Sequence, residues 1–280
     1  MTGRGARDAA EPRETRPARR VVPGGSAAGT AVGWPALGLA VAIGCWWMVT
    51  SAFPLVHPAV LPAPAEVLAA FQAKSAELLG GLATTTLETV AGFLISVVAG
   101  VSIGLLLAAS RAAERMFSPL LVAINAVPKI ALGPLLVVSL GWGQRPILTM
   151  VVLLSFFPIV LSTATGLTTT PAELAELARS LDASRWQTFR KVRFPAALPH
   201  VFVGLKVAMP LAAIGAVIGE FQAGEGGLGY QIVQYSGIAD SATAWAAITL
   251  LGAMSVALYS ALALIERLAL PWVRETTSER

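Results

Sequence analysis

Residues 170–199 read TPAELAELARSLDASRWQTFRKVRFPAALP and form the long polar interval between the strongly apolar segments of the second half of the chain. The first part of this interval predicts a helix, because Thr170, Pro171 and Glu173 make a capping box with proline at the first helical position. Its apolar residues share one helical face at i, i+3, i+4, i+7 spacing: Leu174, Leu177, Ala178 and Leu181.

A second helix is predicted after a tight turn at Asp182 and Ala183. Ser184 and Gln187 form its capping box. The helix carries aromatic and basic side chains, namely Trp186, Phe189, Arg190, Lys191 and Arg193. We expect it to end at Pro195 and Pro199. Neither a buried core nor a plain polar loop needs two capped helices with this many basic residues, so the interval calls for a specific role.

The composition is that of a membrane protein. Of 280 residues, 55% are hydrophobic and 13% are charged, against about 25% charged residues in a soluble domain. The mean hydropathy is +0.71. The single cysteine, Cys45, lies in an apolar segment, and His57 and His200 are far apart. The sequence therefore indicates neither a disulfide framework nor a metal site.

Six apolar segments are long enough to cross a bilayer as helices. They are Pro35–Phe53, Leu87–Ala109, Phe117–Leu140, Pro146–Leu167, His200–Gln222 and Thr243–Ile265. Residues 1–33 precede them and predict a disordered basic tail near anionic lipid headgroups. A nucleic-acid arm is disfavoured, since no aromatic residue interleaves the arginines of the tail. The 19-residue first segment is also longer than the apolar region of a signal peptide.

The basic residues predict the orientation of these segments. With six spans, 16 of the 20 Lys and Arg residues fall on the side that holds both termini and residues 170–199, and only Lys74 and Arg145 fall on the other. Because positive charge is retained in the cytoplasm, the first side is expected to be cytoplasmic. Residues 54–86 and 223–242 then face outward. Topology accounts for the basic composition, so no nucleic-acid partner is predicted.

Ionisable residues within the spans are candidate functional groups, because they are costly in hydrocarbon. Lys129 lies near mid-membrane between Pro128 and Pro134, which predicts a kinked or broken helix lining a cavity. Lys129, Glu88 and Glu220 are the candidates for a polar translocation path. The alternative is structural: Lys–Glu pairs between helices, or snorkelling of the side chains towards the interface.

Several familiar motifs are absent or misleading. Gly224, Gly226 and Gly229 match GxGxxG, but no strand precedes them, so we interpret them as a turn outside the membrane. The sequence contains no GxxxxGK[ST] or HExxH, and its GxSxG match, Gly100–Gly104, lies inside an apolar segment rather than at a strand-to-helix turn. Neither ATP binding by a P-loop nor hydrolase chemistry is therefore predicted for this chain, and we expect no catalytic or metal-binding residues in it.

The interval 170–199 resembles the cytoplasmic loop of bacterial ABC importer permeases, whose signature runs Glu-Ala-Ala, three residues, Gly, and a spaced Leu-Pro. The matching positions are Glu176, Leu177, Ala178, Asp182, Ala183, Leu198 and Pro199, with Leu177 in place of alanine and Asp182 in place of glycine. Other stretches resemble the nitrate/sulfonate/taurine branch: Leu61–Leu68, Thr86-Leu87, Gly92-Phe93, Pro128–Pro134, Gly141–Gly143, Phe157-Pro158 and Gly226–Tyr230.

The resemblance implies an all-α integral membrane protein with six transmembrane helices and a two-helix coupling loop. It implies a tail at 1–33, a first transmembrane helix with an external segment at 34–81, a type-1 transmembrane domain at 82–268 and a cytoplasmic tail at 269–280. The expected location is the bacterial inner membrane. The loop is expected to dock on a separate ATPase dimer through Glu176, Ala178, Asp182, Ala183, Arg185, Trp186, Phe189, Leu198 and Pro199.

The same resemblance implies the partners and cofactors. They are an ATPase that binds ATP and Mg²⁺, an external substrate-binding protein, membrane lipid and a second permease subunit, expected to be an identical copy. No cofactor is expected in this chain. The substrate is expected to be a small organic molecule or anion, either nitrate-, sulfonate- or taurine-like or a heterocyclic vitamin precursor. The alternative is a stand-alone channel or ion-coupled carrier, although no internal repeat supports it.

Overall fold

The computed structural model describes residues 27–53, 56–169 and 172–272, and every regular element within these ranges is helical. The helices are α1 (Ala27–Trp47), α2 (Pro64–Ala73), α3 (Ser75–Ala109), α4 (Arg111–Ala126), α5 (Gly133–Leu140), α6 (Gln144–Thr168), α7 (Ala172–Ser180), α8 (Arg185–Thr188), α9 (Phe194–Ala223), α10 (Leu228–Gly237) and α11 (Ser241–Ala269). Short π-helical turns follow α1 (Met48–Ala52) and α8 (Phe189–Arg193), and a 3₁₀ turn (Lys129–Leu132) precedes α5.

The chain divides into two compact units, residues 1–45 and 46–280. Within the described residues, four helices are long and apolar enough to cross a membrane, and the bent pair α4 and α5 adds a fifth if it forms one span. A shorter apolar helix occupies Ala36–Ala52. The all-helical membrane architecture is therefore confirmed, whereas the count of six spans is not.

The core of the larger unit is built by α3, α6 and α9, which pack closely through small residues. A Cβ atom added at Gly100 of α3 would lie 2.9 Å from Ile159 Cγ2 of α6, and one at Gly104 would lie 2.6 Å from Thr163 Cβ. These approaches confirm the close helix packing expected of small residues spaced four apart in a membrane. The Ser155 hydroxyl donates to the Ser96 hydroxyl across the same interface at 2.8 Å.

The predicted broken helix around Lys129 is present. The chain bends by 76° between α4 and α5. The break lies at Val127 and Pro128, both in extended backbone. Proline disfavours helical backbone in the residue before it, which explains the position of the break. Pro134 instead lies in the first turn of α5, where its missing N–H costs nothing.

Two helices begin earlier than the apolar segments of the sequence. Helix α1 begins at Ala27, so residues 27–33 of the predicted tail are helical. Helix α3 begins at Ser75 rather than at Leu87 and includes residues 81 and 82; the division of the chain into domains at this point stays a prediction. The polar first turns of α3 have low hydropathy, which hid this part of the helix from the sequence. Residues 1–26 and 273–280 of the predicted tails lie outside the described residues.

Candidate functional site

Residues 172–193 form two short helices with several large apolar side chains exposed in the single chain. Leu177 and Leu181 of the first helical stretch are 59% and 74% exposed, and Trp186 of α8 is 66% exposed. Ala178, on the same predicted face, is buried. We call Leu177, Leu181, Trp186 and Phe189 the loop patch. Exposed large apolar side chains next to one another are typical of protein interaction sites.

The predicted turn between α7 and α8 is present, and it closes with a left-handed residue. Asp182 has φ +55°, and the Ala183 amide donates to the Ala178 carbonyl at 3.0 Å. This is the hydrogen bond of a Schellman motif, in which a left-handed residue, usually glycine, follows the helix. Asp182 therefore replaces glycine without loss of the turn.

Helix α8 begins with the predicted capping box. The Gln187 amide donates to Ser184 Oγ at 3.2 Å, and the Ser184 amide donates to Gln187 Oε1 at 2.8 Å. The Trp186 and Phe189 rings then stack with centroids 5.6 Å apart. These contacts fix the orientation of the aromatic part of the loop patch. The other predicted capping box includes residues 170 and 171, which lie outside the described residues.

The second loop helix does not end at its prolines, and this prediction was wrong. Helix α8, the π turn and α9 continue without a break from Arg185 to Ala223. Pro195 lies in the first turn of α9 and Pro199 lies inside α9. The π turn gives the backbone an alternative hydrogen-bonding pattern next to the first proline, and a proline in the first turn of a helix needs no donor.

The docking residues predicted from the sequence therefore separate into two groups. Glu176, Asp182, Arg185 and Trp186 are exposed on the loop, and Ala183 and Phe189 are half-buried there. Leu198 and Pro199 are half-buried in α9, where Leu198 packs against the main core. The predicted ATPase contact of these residues stays a prediction.

The two acidic candidates, Glu88 and Glu220, lie together inside the protein. Glu220 is 1% exposed and Glu88 is 6% exposed, and their carboxyl groups contact each other. Glu220 Oε1 accepts a hydrogen bond from Thr85 Oγ1 at 2.7 Å, and Oε2 accepts from the Gly229 amide. Thr85 Oγ1 in turn accepts from the Leu228 amide at 2.8 Å.

Through these hydrogen bonds, Glu220 holds the first turn of α10 against α3. A carboxylate at a helix N-terminus satisfies amides that have no partner within the helix and interacts favourably with the helix dipole. The glycines at 224, 226 and 229 belong to this turn and its first helical residues, which agrees with their interpretation as a turn. Glu220 therefore has a structural role as the cap of α10, which differs from the Lys–Glu pair or the snorkelling of the expected structural alternative. A path-lining role for Glu88 and Glu220 stays a prediction.

Comparison with known proteins identifies the family. Residues 96–275 match the family described as the binding-protein-dependent transport system inner membrane component. The chain belongs to this family of transport permeases. The match includes the loop, the break at Pro128 and the Glu220 turn. The permease therefore has the all-helical membrane architecture that the sequence predicted, while the count of six spans is not confirmed.

Individual relatives are consistent with this assignment. The permease is 34% identical to the riboflavin transport system permease protein RibX of Chloroflexus aurantiacus, over 85% of this chain and 91% of the relative. It is 33% identical to the formylaminopyrimidine transport permease protein ThiX of Halalkalibacterium halodurans, over 79% of this chain and 89% of the relative. It is 29% identical to the putative aliphatic sulfonates transport permease protein SsuC of Bacillus subtilis, over 81% of this chain and 83% of the relative. The predicted ABC permease branch is confirmed.

A solved structure supports the fold. A chain of the MetNI methionine ABC transporter, in an inward-facing conformation, superposes with a TM-score of 0.61 at 22% identity, covering 69% of the permease and 96% of that chain. At this identity the likeness concerns the fold alone. It supports the type-1 fold for the permease, whose family is shown by the sequence match.

The two lysines within the predicted spans have different surroundings. Lys206 of α9 forms an ion pair with Glu266 of α11 at 2.8 Å, which is a Lys–Glu pair between helices of the kind that the structural alternative describes. Lys129 donates to Asn125 Oδ1 at 2.6 Å and to the Asn125 carbonyl at 3.2 Å. Among the described residues, Lys129 has no carboxylate partner. It lies apart from the Glu88–Glu220 pair.

A contact that sequence reasoning missed joins the ends of several helices on the predicted outer side. Lys74, between α2 and α3, forms an ion pair with Asp240 at 2.7 Å and lies 4.0 Å from the centroid of the Tyr235 ring. Asp240 also accepts from the amide and the hydroxyl of Thr243, and so caps α11. The capping pattern Asp240–Thr243 was visible in the sequence, but the partner Lys74 was not.

The Lys74–Asp240 pair predicts a limited acid sensitivity. Burial alone would raise the pKa of Asp240, but the hydrogen bonds from Lys74 and Thr243 outweigh it and hold this pKa below its usual range. The pair therefore stabilises the fold above the pKa of an unfolded aspartate, about 4, and this contribution is lost as the pH falls through the lower folded pKa. Since both side chains are partly exposed, solvent screening keeps the effect small.

We expect Asp240→Asn to have a lower melting temperature than the wild type at neutral pH, and the difference to shrink as the solution is acidified below pH ~4. The check is thermal unfolding in detergent across a pH series. Glu225→Gln, which alters an exposed carboxylate, is the control. A difference that stays constant with pH would contradict the proposed ion pair.

The turn at Asp182 predicts that Asp182→Gly is tolerated. Glycine adopts positive φ without the penalty of about 1–2 kcal/mol that a Cβ atom brings, so the hydrogen bond from Ala183 to Ala178 is expected to persist. ATP-dependent uptake in proteoliposomes should stay within about twofold of the wild type, since stability changes below 0.5 kcal/mol are typical at such positions. A strong loss of coupling would mean that the carboxylate makes a specific contact with a partner.

Proposed function

We propose that this permease is the membrane subunit of an ATP-driven importer and that residues 170–199 dock on its ATPase. The observation that carries this proposal is the loop patch, in which Leu177, Leu181 and Trp186 are exposed in the single chain and Phe189 is half-buried against Trp186. Aromatic side chains at an interface contribute much of its binding energy. Arg185, Arg190, Lys191 and Arg193 are exposed around the patch, where charges steer association more than they tighten it.

The proposed coupling uses the continuous helix from Arg185 to Ala223. This helix has 39 residues and is about 58 Å long at 1.5 Å per residue. Because α8 and α9 belong to one continuous helix, a displacement of α8 by the ATPase would be transmitted towards the Glu220 end. Secondary-structure elements carry coupling of this kind when they have two arrangements. ATP binding would then shift the permease between inward-open and outward-open states.

The other partners follow from the same proposal. A substrate-binding protein would deliver solute to residues 54–86 and 223–242 on the outer side, and two copies of the permease would enclose the path. Both termini would be cytoplasmic in the bacterial inner membrane. ATP and Mg²⁺ would bind the ATPase. Names of the relatives support a substrate that is a small organic molecule or anion, either a vitamin-related heterocycle or an oxyanion.

The test is reconstitution with a co-expressed ATPase and binding protein in proteoliposomes. Uptake of riboflavin, formylaminopyrimidine, ethanesulfonate and nitrate is measured with ATP, with a non-hydrolysable analogue and with an ionophore. We expect uptake that requires both ATP and the ATPase and that survives the ionophore. Uptake without the ATPase, abolished by the ionophore, would instead establish an ion-coupled carrier.

Trp186→Ala provides the interface control within this experiment. Loss of an aromatic anchor costs about 2 kcal/mol at a hot spot, so we expect the ATPase to dissociate about 30-fold more readily during purification. Trp142→Ala is the matched variant, because Trp142 is also highly exposed but lies between α5 and α6, away from the loop. Equal ATPase recovery in both variants would contradict docking through the loop patch.

A further inference from the structure

The buried contact between the carboxyl groups of Glu88 and Glu220 requires a proton. Two carboxylates at contact distance repel each other, and burial removes the water that would screen this repulsion. Among the described residues, no Lys, Arg or His forms an ion pair with either carboxyl. One carboxyl group therefore carries a proton and donates a hydrogen bond to the other, as contacting carboxyl groups do when they share a site.

Other charged groups do not replace this proton. Every other charged side chain on α3, α6, α9, α10 and α11 is paired or exposed: Lys206 and Glu266 pair with each other, and Glu77, Arg145, His200 and Arg267 are exposed. In the connecting segments, Lys74 pairs with Asp240 and Glu225 is exposed. The two carboxyl groups thus form an isolated buried pair.

The hydrogen-bond donors around the pair assign the negative charge to Glu220. Its carboxyl group accepts from the Thr85 hydroxyl and from the backbone amides of Gly229 and Tyr230. Backbone amides only donate, and these two belong to the first turn of α10, where the helix dipole favours a negative charge. Several donors that converge on one carboxyl group stabilise its charge.

Glu88 has the opposite surroundings. No N–H or hydroxyl group of the described residues donates a hydrogen bond to it, and Glu88 Oε2 is buried without a hydrogen-bond partner. Glu88 is 6% exposed, so bulk water does not supply the missing donors. A carboxylate here would be an uncompensated buried charge, whereas a carboxylic acid leaves only a neutral carbonyl oxygen unpaired.

We propose that Glu88 is a carboxylic acid and a positioning residue, which donates a hydrogen bond to the Glu220 carboxylate and so holds Glu220 in place as the cap of α10. Through this contact one proton becomes part of the attachment of α10 to α3 and α9. The pair is thus a proton-binding site inside the membrane helices. The inference concerns the permease chain alone and does not rest on the proposed function.

Infrared spectroscopy tests where the proton lies. The full-length permease is measured at neutral pH, in H₂O and in D₂O, in dodecyl maltoside, a detergent without ester carbonyls. A protonated carboxyl group gives a carbonyl stretch that is separate from the carboxylate bands. We expect this band in the wild type, its loss in Glu88→Gln and its retention in Glu220→Gln. Glu225→Gln, an exposed carboxylate close to the pair in sequence, is the matched control and should retain the band.

Hydrogen exchange of the α10 amides, followed by mass spectrometry, tests the positioning role. In Glu88→Gln the side-chain amide can donate to Glu220 in place of the acid, so we expect exchange within about twofold of the wild type. Glu88→Met keeps a similar size but has no donor. We expect it to speed exchange in residues 228–237 by at least about tenfold, the effect of losing one hydrogen bond to a charged group.

Any of four results would overturn the inference. They are the absence of the carboxylic acid band in the wild type, a band that survives Glu88→Gln, a band that Glu220→Gln abolishes, and α10 exchange as fast in Glu88→Gln as in Glu88→Met. If Glu88→Met does not fold, the infrared comparison of the two glutamine variants still decides. Neither measurement uses ATP or solute, so its outcome is separate from that of the importer test.

Discussion

Ala183→Arg is expected to abolish ATP-driven uptake while leaving the permease folded and inserted. Ala183 lies in the turn between α7 and α8, where its amide closes the Schellman motif. The substitution keeps this backbone hydrogen bond but adds a long charged side chain at the centre of the proposed docking surface. A charge or overpacked side chain in such a centre costs about 2 kcal/mol or more, which corresponds to roughly 30-fold weaker ATPase binding.

The measurement pairs uptake with ATPase recovery and melting temperature. Ala112→Arg is the matched control, since Ala112 is an exposed alanine near Arg111 and Arg115 on the same predicted side but outside the loop. We expect the control to transport normally and both variants to melt like the wild type. Wild-type uptake by Ala183→Arg would refute docking through this turn.

Glu220→Ala is expected to destabilise the permease strongly. Its removal leaves the amides of Gly229 and Tyr230 without their buried acceptor, and each unsatisfied group costs about 1–3 kcal/mol. The Thr85 hydroxyl can still donate to the Gly81 carbonyl. A loss of about 3 kcal/mol lowers the melting temperature of a chain of this size by roughly 6–12 °C. Glu225→Ala, an exposed carboxylate in the same turn, should change stability by no more than about 0.5 kcal/mol.

A double-mutant cycle with Gly227 sharpens this test. Gly227 has φ +94°, and a Cβ atom there would lie within contact distance of the Glu220 carboxylate. Gly227→Ala should therefore destabilise the wild type, and part of this cost should disappear in the Glu220→Ala background. Additive effects would contradict the contact. If Glu220→Gln impaired uptake without lowering the melting temperature, the path-lining prediction would be favoured instead.

The sequence was informative wherever a local rule applied. The capping box at Ser184, the left-handed turn at Asp182 and the helix break before Lys129 each follow from residues that are neighbours in the chain, and each is present. The apolar runs also located the membrane helices. The start of α3 was missed because hydropathy does not record that α10 covers its polar first turns. Gly81 of α3 lies so close to Gln231 of α10 that a Cβ atom at position 81 would collide with the Gln231 side-chain amide.

The sequence by itself determined the class of protein, the position of the loop and, through the order of its motifs, the permease family. The tertiary structure alone decided which polar and charged side chains contact each other. Thr85 and Glu220 are 135 residues apart, Lys74 and Asp240 are 166 apart, and each pair meets only because α3, α9, α10 and α11 pack together. It also decided that α8 and α9 form one continuous helix and that Lys129 has no carboxylate partner among the described residues. The energy of a buried charge depends on the groups that surround it in space. The spacing of residues in the sequence does not identify those groups beyond one helical turn.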